Sequence, residues 1–521
     1  MTTLPSPSGP DEGVQPGALQ VTGLGRNAAW LYLNAGGSAL GGLYLLGFSF
    51  RHLGASTYGL YALAATVLGV FGTVDFGLKL LVIRCTARDS VLFTDDERNR
   101  AQSDIKVAHA TYAAWGFAVL IATGVAMILV ITRQNHSIAG KQVVLMVLLV
   151  GLSIALNLGT SSFSGIPVGR RQFHVPAIGG LAGTGVEITI VVATIGHLHL
   201  AALGAGALAS VLVSQGYCAW WVRRHELWFQ LFPRLVGWAD IRRVASFAAP
   251  LLVVSVAGQL ISATDLIVVG AVATPAAVAF YRAAWIVPSQ ATALLFIGYD
   301  TVYPLLAGTT DMGGQEIATR FLTRVVAFVA GAMFAVLIVL RVDVVVAVTG
   351  HSSALAESVL VVFCCIWMAN VPVHGLSLLL IARGRQNVFI WLVGVEAAAN
   401  LVLTMVFAVV MGPIGAAYAT LGTIALSNVF VFPAIVRHEF SKGVARRTVL
   451  EALVAAAIGG ATAALATSPT LEFGVGWVRL ISGLILGGGF SCAFGLLLLR
   501  QGGRSLLVSM IRGPSAAQPP R

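Results

Sequence analysis

Charged residues are scarce in this sequence. Asp, Glu, Lys and Arg make up 10% of its 521 residues, against about 25% in soluble globular proteins. Hydrophobic residues make up 57%, and the mean hydropathy is +0.87. A chain with so little polar surface cannot fold as a water-soluble domain. Since a transmembrane helix needs about 20 apolar residues, the sequence could supply about fourteen of them.

Motifs for catalysis and cofactor binding are also missing. The sequence has no GxxxxGK[ST] P-loop for ATP, and "HELWF" and "HEFSK" lack the second histidine of a zinc protease. The cysteines show no CxxC spacing, so we expect no disulfide, no metal and no cofactor. They are Cys85, Cys218, Cys364, Cys365 and Cys492. All connecting segments are short, which disfavours an enzyme of glycan assembly, and no nucleic-acid-binding motif is present.

Apolar windows broken by Arg, Pro or Gly predict an all-α polytopic membrane protein with about fourteen transmembrane helices. The predicted spans are 27–50, 58–83, 106–132, 142–165, 175–196, 202–222, 245–270, 277–303, 322–342, 355–381, 388–410, 413–436, 449–468 and 478–499. The start, "MTTLPSPSGPDEGVQPG", lacks the basic and apolar regions of a signal peptide. We expect it to form a disordered tail.

The distribution of Lys and Arg predicts the orientation of these spans. With the N-terminus in the cytoplasm, cytoplasmic segments collect 25 of the 32 basic residues, and the opposite side holds five. This asymmetry predicts that both termini are cytoplasmic. The net charge of +11 then reflects topology and contact with anionic lipids rather than nucleic-acid binding.

Three short matches suggest an internal repeat. They pair "RHLGASTYGLYALA" (51–64) with "GAVATPAAVAFYRAA" (270–284), "GRRQ" (169–172) with "RGRQ" (383–386), and "LGAGALA" (203–209) with "IGAAYAT" (414–420). They predict two six-helix lobes of the same orientation plus two further helices, although Gly/Ala-rich helix starts resemble one another in any case. The predicted segments are a tail (1–25), a lobe (26–224), a linker (225–244), a lobe (245–440), helices 13 and 14 (441–500) and a tail (501–521).

Several stretches resemble one transporter family. "LGASTYGLYALAATVLGVFGTVDFGLKLLVIRCTAR", "TDLIVVGAVATPAAVAFYRAA" and "MGPIGAAYATLGT" are similar to bacterial polysaccharide-repeat-unit flippases of the MATE-like multidrug/oligosaccharidyl-lipid/polysaccharide exporter superfamily. The resemblance covers about residues 27 to 440. Lys79 departs from it, because that position usually carries a small or uncharged residue. The resemblance implies two lobes around a central cavity, alternating access, and export of an undecaprenyl-diphosphate-linked oligosaccharide.

Asp75 and Lys79 lie inside the second predicted span, four residues apart and therefore on one helix face. One interpretation is a structural pair in which Lys79 neutralises Asp75 and extends towards the cytoplasmic surface. The other is that the pair lines the inward mouth of a cavity, where Lys79 contacts a lipid diphosphate. Arg51, at the outer end of the first span, is a further cationic candidate.

Asp265 and Arg282 flank the turn between the seventh and eighth spans at one depth. They could form a salt bridge or part of a ligand site. Asp300 follows Arg282 by about five full helical turns, so both are expected to point the same way. A charged face of this kind is not expected to face lipid.

Glu187 and Glu396, in the fifth and eleventh spans, are predicted to occupy similar places in the two lobes. In apolar surroundings either could be protonated, which makes both candidates for ion coupling; interhelical hydrogen bonding is the alternative. Asn34, Asn370, His374 and Asn400 are polar residues of the same ambiguous kind. The stretches "NAGGSALGG" and "IGGLAGTG" are predicted to permit close helix packing.

The leading functional hypothesis is a flippase for a lipid-linked oligosaccharide, with cations that bind the diphosphate. It is not expected to be an enzyme. A drug/cation antiporter of the same superfamily is one alternative, although it favours acidic cavity residues over Lys79 and Arg282. A flippase for a peptidoglycan lipid precursor is another. The expected partners are the lipid-linked substrate, anionic lipids and polysaccharide polymerase or export machinery.

Overall fold

A computed structural model describes residues 24–73, 78–89, 95–133, 138–229, 237–308, 311–385, 387–468, 470 and 477–489. Asp75 and most of both predicted tails lie outside these residues. So does the side chain of Asp300, which belongs to a described helix.

The described residues form a bundle of helices. The first half of the chain contains α1 (Leu24–Leu53), α2 (Ala55–Thr73), α3 (Leu78–Asp89), α4 (Asp95–Arg133), α5 (Ile138–Gly159), α6 (Ser161–Gly169), α7 (His174–Leu198) and α8 (Leu200–His225). The second half contains α9 (Trp238–Val272), α10 (Pro275–Gly308), α11 (Met312–Val339), α12 (Arg341–Thr349), α13 (Ala354–Ala382), α14 (Asn387–Met411), α15 (Pro413–Leu426), a π-helical turn (Ser427–Val431) and α16 (Phe432–Ile435). Two further helices follow, α17 (Val444–Thr467) and α18 (Trp477–Gly483).

Local sequence explains several helix ends. Pro413 begins α15, where its missing N–H is no loss. The hydroxyl of Ser353 caps α13 by accepting from the Ala356 N–H. Gly54 and Gly350 adopt positive φ after α1 and α12, a conformation that side chains disfavour.

The predicted spans coincide with these helices. Within the described residues, ten helices are long and apolar enough to cross a membrane, which identifies a multi-pass membrane protein. The prediction of an all-α polytopic protein is confirmed. The number fourteen is not established, because the described residues contain ten such helices and residues 74–77, within the predicted span 58–83, lie outside them.

The two halves share one packing pattern. In the first half α1 packs on α7, α2 and α4 pack on α5, and α8 packs on both α5 and α7. In the second half the corresponding pairs are α9 with α14, α10 and α11 with α13, and α15 with both α13 and α14. Helix α17 lies outside this pattern and packs on α11.

Backbone hydrogen bonds define the register of this repeat. After α6 the N–H of Arg170 donates to the carbonyl of Ile166, and after α13 the N–H of Arg383 donates to that of Leu379. The three bonds that follow recur at the same spacing, so Arg170 and Arg383 are equivalent positions. The pairing of "GRRQ" with "RGRQ" was therefore wrong by one residue.

The third sequence match is also out of register. At the spacing that relates Arg170 to Arg383, the first residue of α8 is equivalent to the first residue of α15. The pairing of 203–209 with 414–420 was therefore wrong by two positions. Short Gly/Ala-rich strings match equally well when shifted, which explains both errors.

These two equivalent arginines bind the chain segments that follow α8 in the first half and α16 in the second. Arg170 donates to both carboxylate oxygens of Glu226, at 2.6 and 2.9 Å. Arg383 donates to the backbone carbonyl of Glu439 at 2.9 Å and also contacts Glu316 of α11 at 3.3 Å. Arg383 and Glu316 are both less than a tenth exposed. These bonds stabilise each half at the end of the bundle where the turn between α6 and α7 lies. We term it the α6–α7 end.

The halves meet at the opposite end, where the α1–α2 and α9–α10 turns lie, termed here the α1–α2 end. A Cβ on Gly59 would lie 1.8 Å from the carbonyl oxygen of Pro275, so α2 and α10 touch through their backbones. The rings of Phe50 and Phe280 are 5.2 Å apart. Residues from both halves form one continuous apolar cluster there. The two halves are therefore closely packed at this end.

Candidate functional site

A cavity of about 440 Å³ lies within the second half. Helices α9, α10, α13, α14 and α15 and the π-helical turn enclose it. Its polar lining residues are Ser262, Asp265, Asn370, His374, Ser377, Glu396, Thr420 and Asn428, and its aromatic ones are Trp285, Phe363, Trp367 and Phe432. Along α13 it extends from Phe363 to Ile381, about 27 Å at 1.5 Å per residue. It therefore leads from the middle of the bundle towards the α6–α7 end.

Asp265 lies at the inner end of this cavity and is 2% exposed. Its carboxylate accepts hydrogen bonds from the hydroxyl groups of Thr420 at 2.8 Å, Tyr281 at 3.0 Å and Thr404 at 3.3 Å. Asn400 in turn donates to the Thr420 hydroxyl at 2.8 Å. Helices α10, α14 and α15 thus hold one buried carboxyl group through neutral donors, as a buried charge requires.

Glu396 lies on α14 in the same cavity. The hydroxyl of Ser427 donates to it at 2.7 Å, and the neighbouring Asn428 donates to Asn370 at 3.4 Å. Ser427 and Asn428 begin the π-helical turn that interrupts the predicted span 413–436. Such turns often occur at functional sites. Here it directs one polar side chain to Glu396 of α14 and the next to Asn370 of α13.

Two further polar groups have no hydrogen-bond partner in the described part of the chain. They are the indole N–H of Trp367 and Nε2 of His374, whose ring stacks on Phe296 at 3.8 Å. The cavity therefore combines two carboxyl groups, unsatisfied polar atoms and aromatic walls. Chemically, this lining can hold a proton or a small cation near Asp265 and Glu396.

Arg282 lies outside the cavity, between the halves. Its guanidinium carbon is 4.4 Å from the ring centre of Trp285, which also lines the cavity. Tyr58 and Tyr61 of α2 lie near its guanidinium group. No carboxylate forms an ion pair with it in the described parts of the protein. A largely buried cation without a counterion is costly, and it attracts an anion.

Asp265 and Arg282 are not joined by an ion pair in the described structure. The seventh and eighth spans place them near one another, but Asp265 bonds to Tyr281, the residue before Arg282, and Arg282 turns towards α2. Of the two interpretations of this pair, the salt bridge is therefore not formed in the described structure. The preference for hydroxyl partners was not visible in the sequence, because Thr404 and Thr420 are 139 and 155 residues away.

The remaining candidates lie in different places. Lys79 is exposed on α3 and its side chain lies over Gly165 of α6, whose Cβ would be 3.9 Å from Lys79 Cγ. Its predicted pairing with Asp75 lies outside the described residues. Arg51 donates to the carbonyl of Ala347 in α12 at 2.7 Å. Asp300 belongs to α10, the helix that also carries Arg282.

Glu187 and Glu396 are not equivalent in the repeat. The register set by Arg170 and Arg383 places Glu187 opposite Asn400, and Glu396 opposite Gly183. The two glutamates were predicted to occupy similar places. Their positions instead differ by one helical turn along the same face. Glu187 lies on α7, where its Cγ would be 3.3 Å from a Cβ on Gly206 of α8.

Comparison with known proteins identifies the family. The family model described as "Polysaccharide biosynthesis protein" matches residues 24–309, more than half of the chain. The chain belongs to this family. No curated protein sequence matches it.

Solved structures that are similar to this chain include transporters. "Lipid II flippase MurJ, inward closed conformation" matches with a TM-score of 0.62 and 12% identity, covering 91% of this chain and 99% of that one. An outward-facing multidrug resistance MATE family transporter of the MOP superfamily matches with a TM-score of 0.61 and 14% identity, covering 80% and 96%. A MOP superfamily transporter from Pyrococcus furiosus matches with a TM-score of 0.56 and 16% identity, covering 84% and 94%. The polysaccharide biosynthesis protein described here therefore has the MOP transporter fold.

Proposed function

We propose that this protein is a flippase for an undecaprenyl-diphosphate-linked oligosaccharide. It moves the lipid from the inner to the outer leaflet of the bacterial inner membrane by alternating access, for cell-surface polysaccharide biosynthesis. The family and the transporter fold support this proposal. In this scheme residues 26–224 and 245–440 are the moving lobes, both termini are cytoplasmic, and the α1–α2 end faces outwards.

Arg282 is the observation that carries the proposal. It is a cation at the interface of the two lobes, with aromatic neighbours and no carboxylate partner in the described structure. A diphosphate is the anion that such a substrate supplies, and a guanidinium binds it through paired hydrogen bonds. Lys79, with Asp75, is proposed to receive the diphosphate near the cytoplasmic surface. Asp300, expected from its spacing on the same face of α10 as Arg282, is proposed to lie further along the path.

The cavity of the second lobe is proposed to couple transport to an ion. Asp265 and Glu396 both line it, and it leads to the α6–α7 end, which is cytoplasmic in this scheme. Protonation or cation binding there would change the charge on α9 and α14, which pack on each other. Glu187 is the candidate proposed for the first lobe, where it lies at the α7–α8 contact.

Lipid extraction from a deletion strain tests the proposal. Loss of the protein should make lipid-linked repeat units accumulate, and Arg282→Gln should reproduce most of that accumulation at an equal protein level. Arg282→Lys should restore export in part, since an ammonium binds phosphate as a point charge. Arg341→Gln is a matched control, because Arg341 is exposed and bonds to the Ile338 carbonyl of its own segment. No accumulation in the deletion strain would refute the proposal.

A drug/cation antiporter is the second candidate. The cavity favours it, because aromatic walls and two carboxyl groups also suit an organic cation. The same deletion strain separates the two functions: hypersensitivity to cationic drugs without stalled lipid-linked saccharide would indicate the antiporter. A peptidoglycan precursor flippase, suggested by the likeness to MurJ, would instead accumulate a peptidoglycan lipid precursor.

A further inference from the structure

The short helix α12 belongs to the second half but contacts the first at the α1–α2 end. A Cβ on Gly47 of α1 would lie 3.0 Å from the carbonyl oxygen of Val348, so the two backbones nearly touch. Arg51, one turn further along α1, donates to the carbonyl of Ala347 at 2.7 Å. Its side chain extends over Gly350, where a Cβ would lie 3.4 Å from Arg51 Cγ. Arg51 thus binds the C-terminal end of a helix in the other half.

This contact uses the chemistry of a helix terminus. The last carbonyls of a helix have no partner within it and carry the negative end of the helix dipole. In α12 the hydroxyl of Thr349 donates to Val345, and the N–H of Gly350 donates to Val346. Arg51 supplies the donor for Ala347 from the other half. An arginine satisfies both the hydrogen-bonding need and the dipole.

The other end of α12 is attached to a helix outside the repeat. Asp343, in the first turn of α12, is 5% exposed and forms an ion pair with Arg479 of α18 at 3.5 Å. An acidic residue is also favoured at this position by the helix dipole. Helix α12 is therefore held between α18 and α1.

We propose that α12 is a latch that holds the α1–α2 end closed, and that α18 sets its position through the Asp343–Arg479 ion pair. The latch rests on the alternating-access part of the proposed function: for this end to open, α1 must leave α12, and Arg51 must release Ala347. Arg51, a candidate for substrate binding in the sequence, acts here as a positioning residue for the closed state. Helix α18 then stabilises the closed α1–α2 end without belonging to either lobe.

Accessibility of a buried cysteine tests this inference. Ala62 of α2 is 2% exposed and belongs to the apolar cluster shared by the two halves. Ala62→Cys, in a protein whose five cysteines are replaced by serine, should react slowly with a membrane-impermeant maleimide in intact cells. Adding Arg51→Gln should raise the labelling rate about two- to fivefold, as expected for loss of a charge at a helix terminus. Asp343→Asn should raise it too.

Two controls make the result decisive. Arg51→Lys keeps the charge and should raise the rate less than Arg51→Gln. Arg341 of α12 bonds to the Ile338 carbonyl at the end of α11, and Arg341→Gln should leave the rate unchanged. Unchanged labelling with both Arg51→Gln and Asp343→Asn, at equal amounts of folded protein, would overturn the latch; so would an equal increase with Arg341→Gln. The labelling assay needs no saccharide. Failure of the latch can therefore be told apart from failure of the flippase proposal.

Discussion

In the first half of the molecule α7 and α8 pack backbone against backbone, whereas their counterparts α14 and α15 border a cavity. A Cβ on Gly179 would lie 2.9 Å from the Ser214 carbonyl oxygen, and one on Gly183 would lie 2.7 Å from that of Ser210. At the equivalent positions of the second half stand Leu392 and Glu396, and both line the cavity. Two glycines of the α7–α8 contact therefore correspond to two cavity-lining residues of the second half.

The difference shows how a duplicated fold can acquire a site without a change in topology. The helix packing pattern is the same in both halves. Only the second half combines larger side chains at the α14–α15 contact with a π-helical turn, while the equivalent helix α8 is a continuous α-helix from Leu200 to His225. The following predictions test that comparison, from the largest effect to the smallest.

Gly183→Leu, in the first half, should have the largest effect on stability. Its side chain would enter the space occupied by the Ser210 backbone, and overpacking of this kind costs about 3 kcal/mol. Thermal unfolding in detergent should show a clear loss of stability. Gly185→Leu is the control, because a Cβ there meets nothing within 4 Å. Equal losses from both substitutions would mean that the α7–α8 contact is not the cause.

Substitutions in the α7–α8 turn and in the α14–α15 turn should change the unfolding temperature in opposite directions. His199 joins α7 to α8 with φ 46° and ψ −120°, and Gly412 joins α14 to α15 with φ 71° and ψ −158°. Such conformations strain any residue with a Cβ, by about 2 kcal/mol. Gly412→Ala should therefore lower the unfolding temperature, and His199→Gly should raise it. Two shifts of the same sign would contradict the equivalence of the two turns.

Ser427→Ala should affect the second half alone. It removes the 2.7 Å hydrogen bond to Glu396, at a cost of about 1 kcal/mol, and it should also weaken ion-coupled transport. Ser214→Ala is the matched substitution in the first half, where the hydroxyl bonds to Val211 of its own helix. We expect Ser214→Ala to leave both stability and transport close to the parent values. An equal effect at Ser214 would argue against a special role for the π-helical turn.

The smallest effect is expected after α6. Arg171 adopts φ 60°, whereas its counterpart Gly384 adopts φ 71° without steric cost. Arg171→Gly should raise stability by about 0.5 kcal/mol, the relief of backbone strain less the entropy cost of glycine. A small rise in unfolding temperature would confirm it. Gly384→Ala provides the reverse substitution and should lower the unfolding temperature.

Sequence patterns predicted the features that depend on neighbouring residues. Apolar windows located the helices, and the glycine-rich stretches were correctly expected to permit close packing: a Cβ on Gly37 or Gly41 would lie 2.3 Å from a side chain of α7. The repeat was predicted from the sequence, but its register was not. Register depends on backbone hydrogen bonds in the turns, which short similar sequences do not reveal.

The site depended on contacts distant in sequence. Asp265 was a candidate, but its partners Thr404 and Thr420 come from helices that follow much later in the chain. Trp285 was not singled out, because an aromatic residue in an apolar span usually faces lipid or core. Its role beside Arg282 follows from the position of α10 between the halves.

The contact between α11 and α17 bears on how the protein is made. A Cβ on Gly331 would lie 2.0 Å from the Ala456 carbonyl oxygen, so the backbones of α11 and α17 are in contact. Arg320 and Arg324 of α11 both bind Glu451 of α17. Because α17 begins about 100 residues after α11 ends, α11 is synthesised before its partner. The second half can form this contact only after α17 has been synthesised.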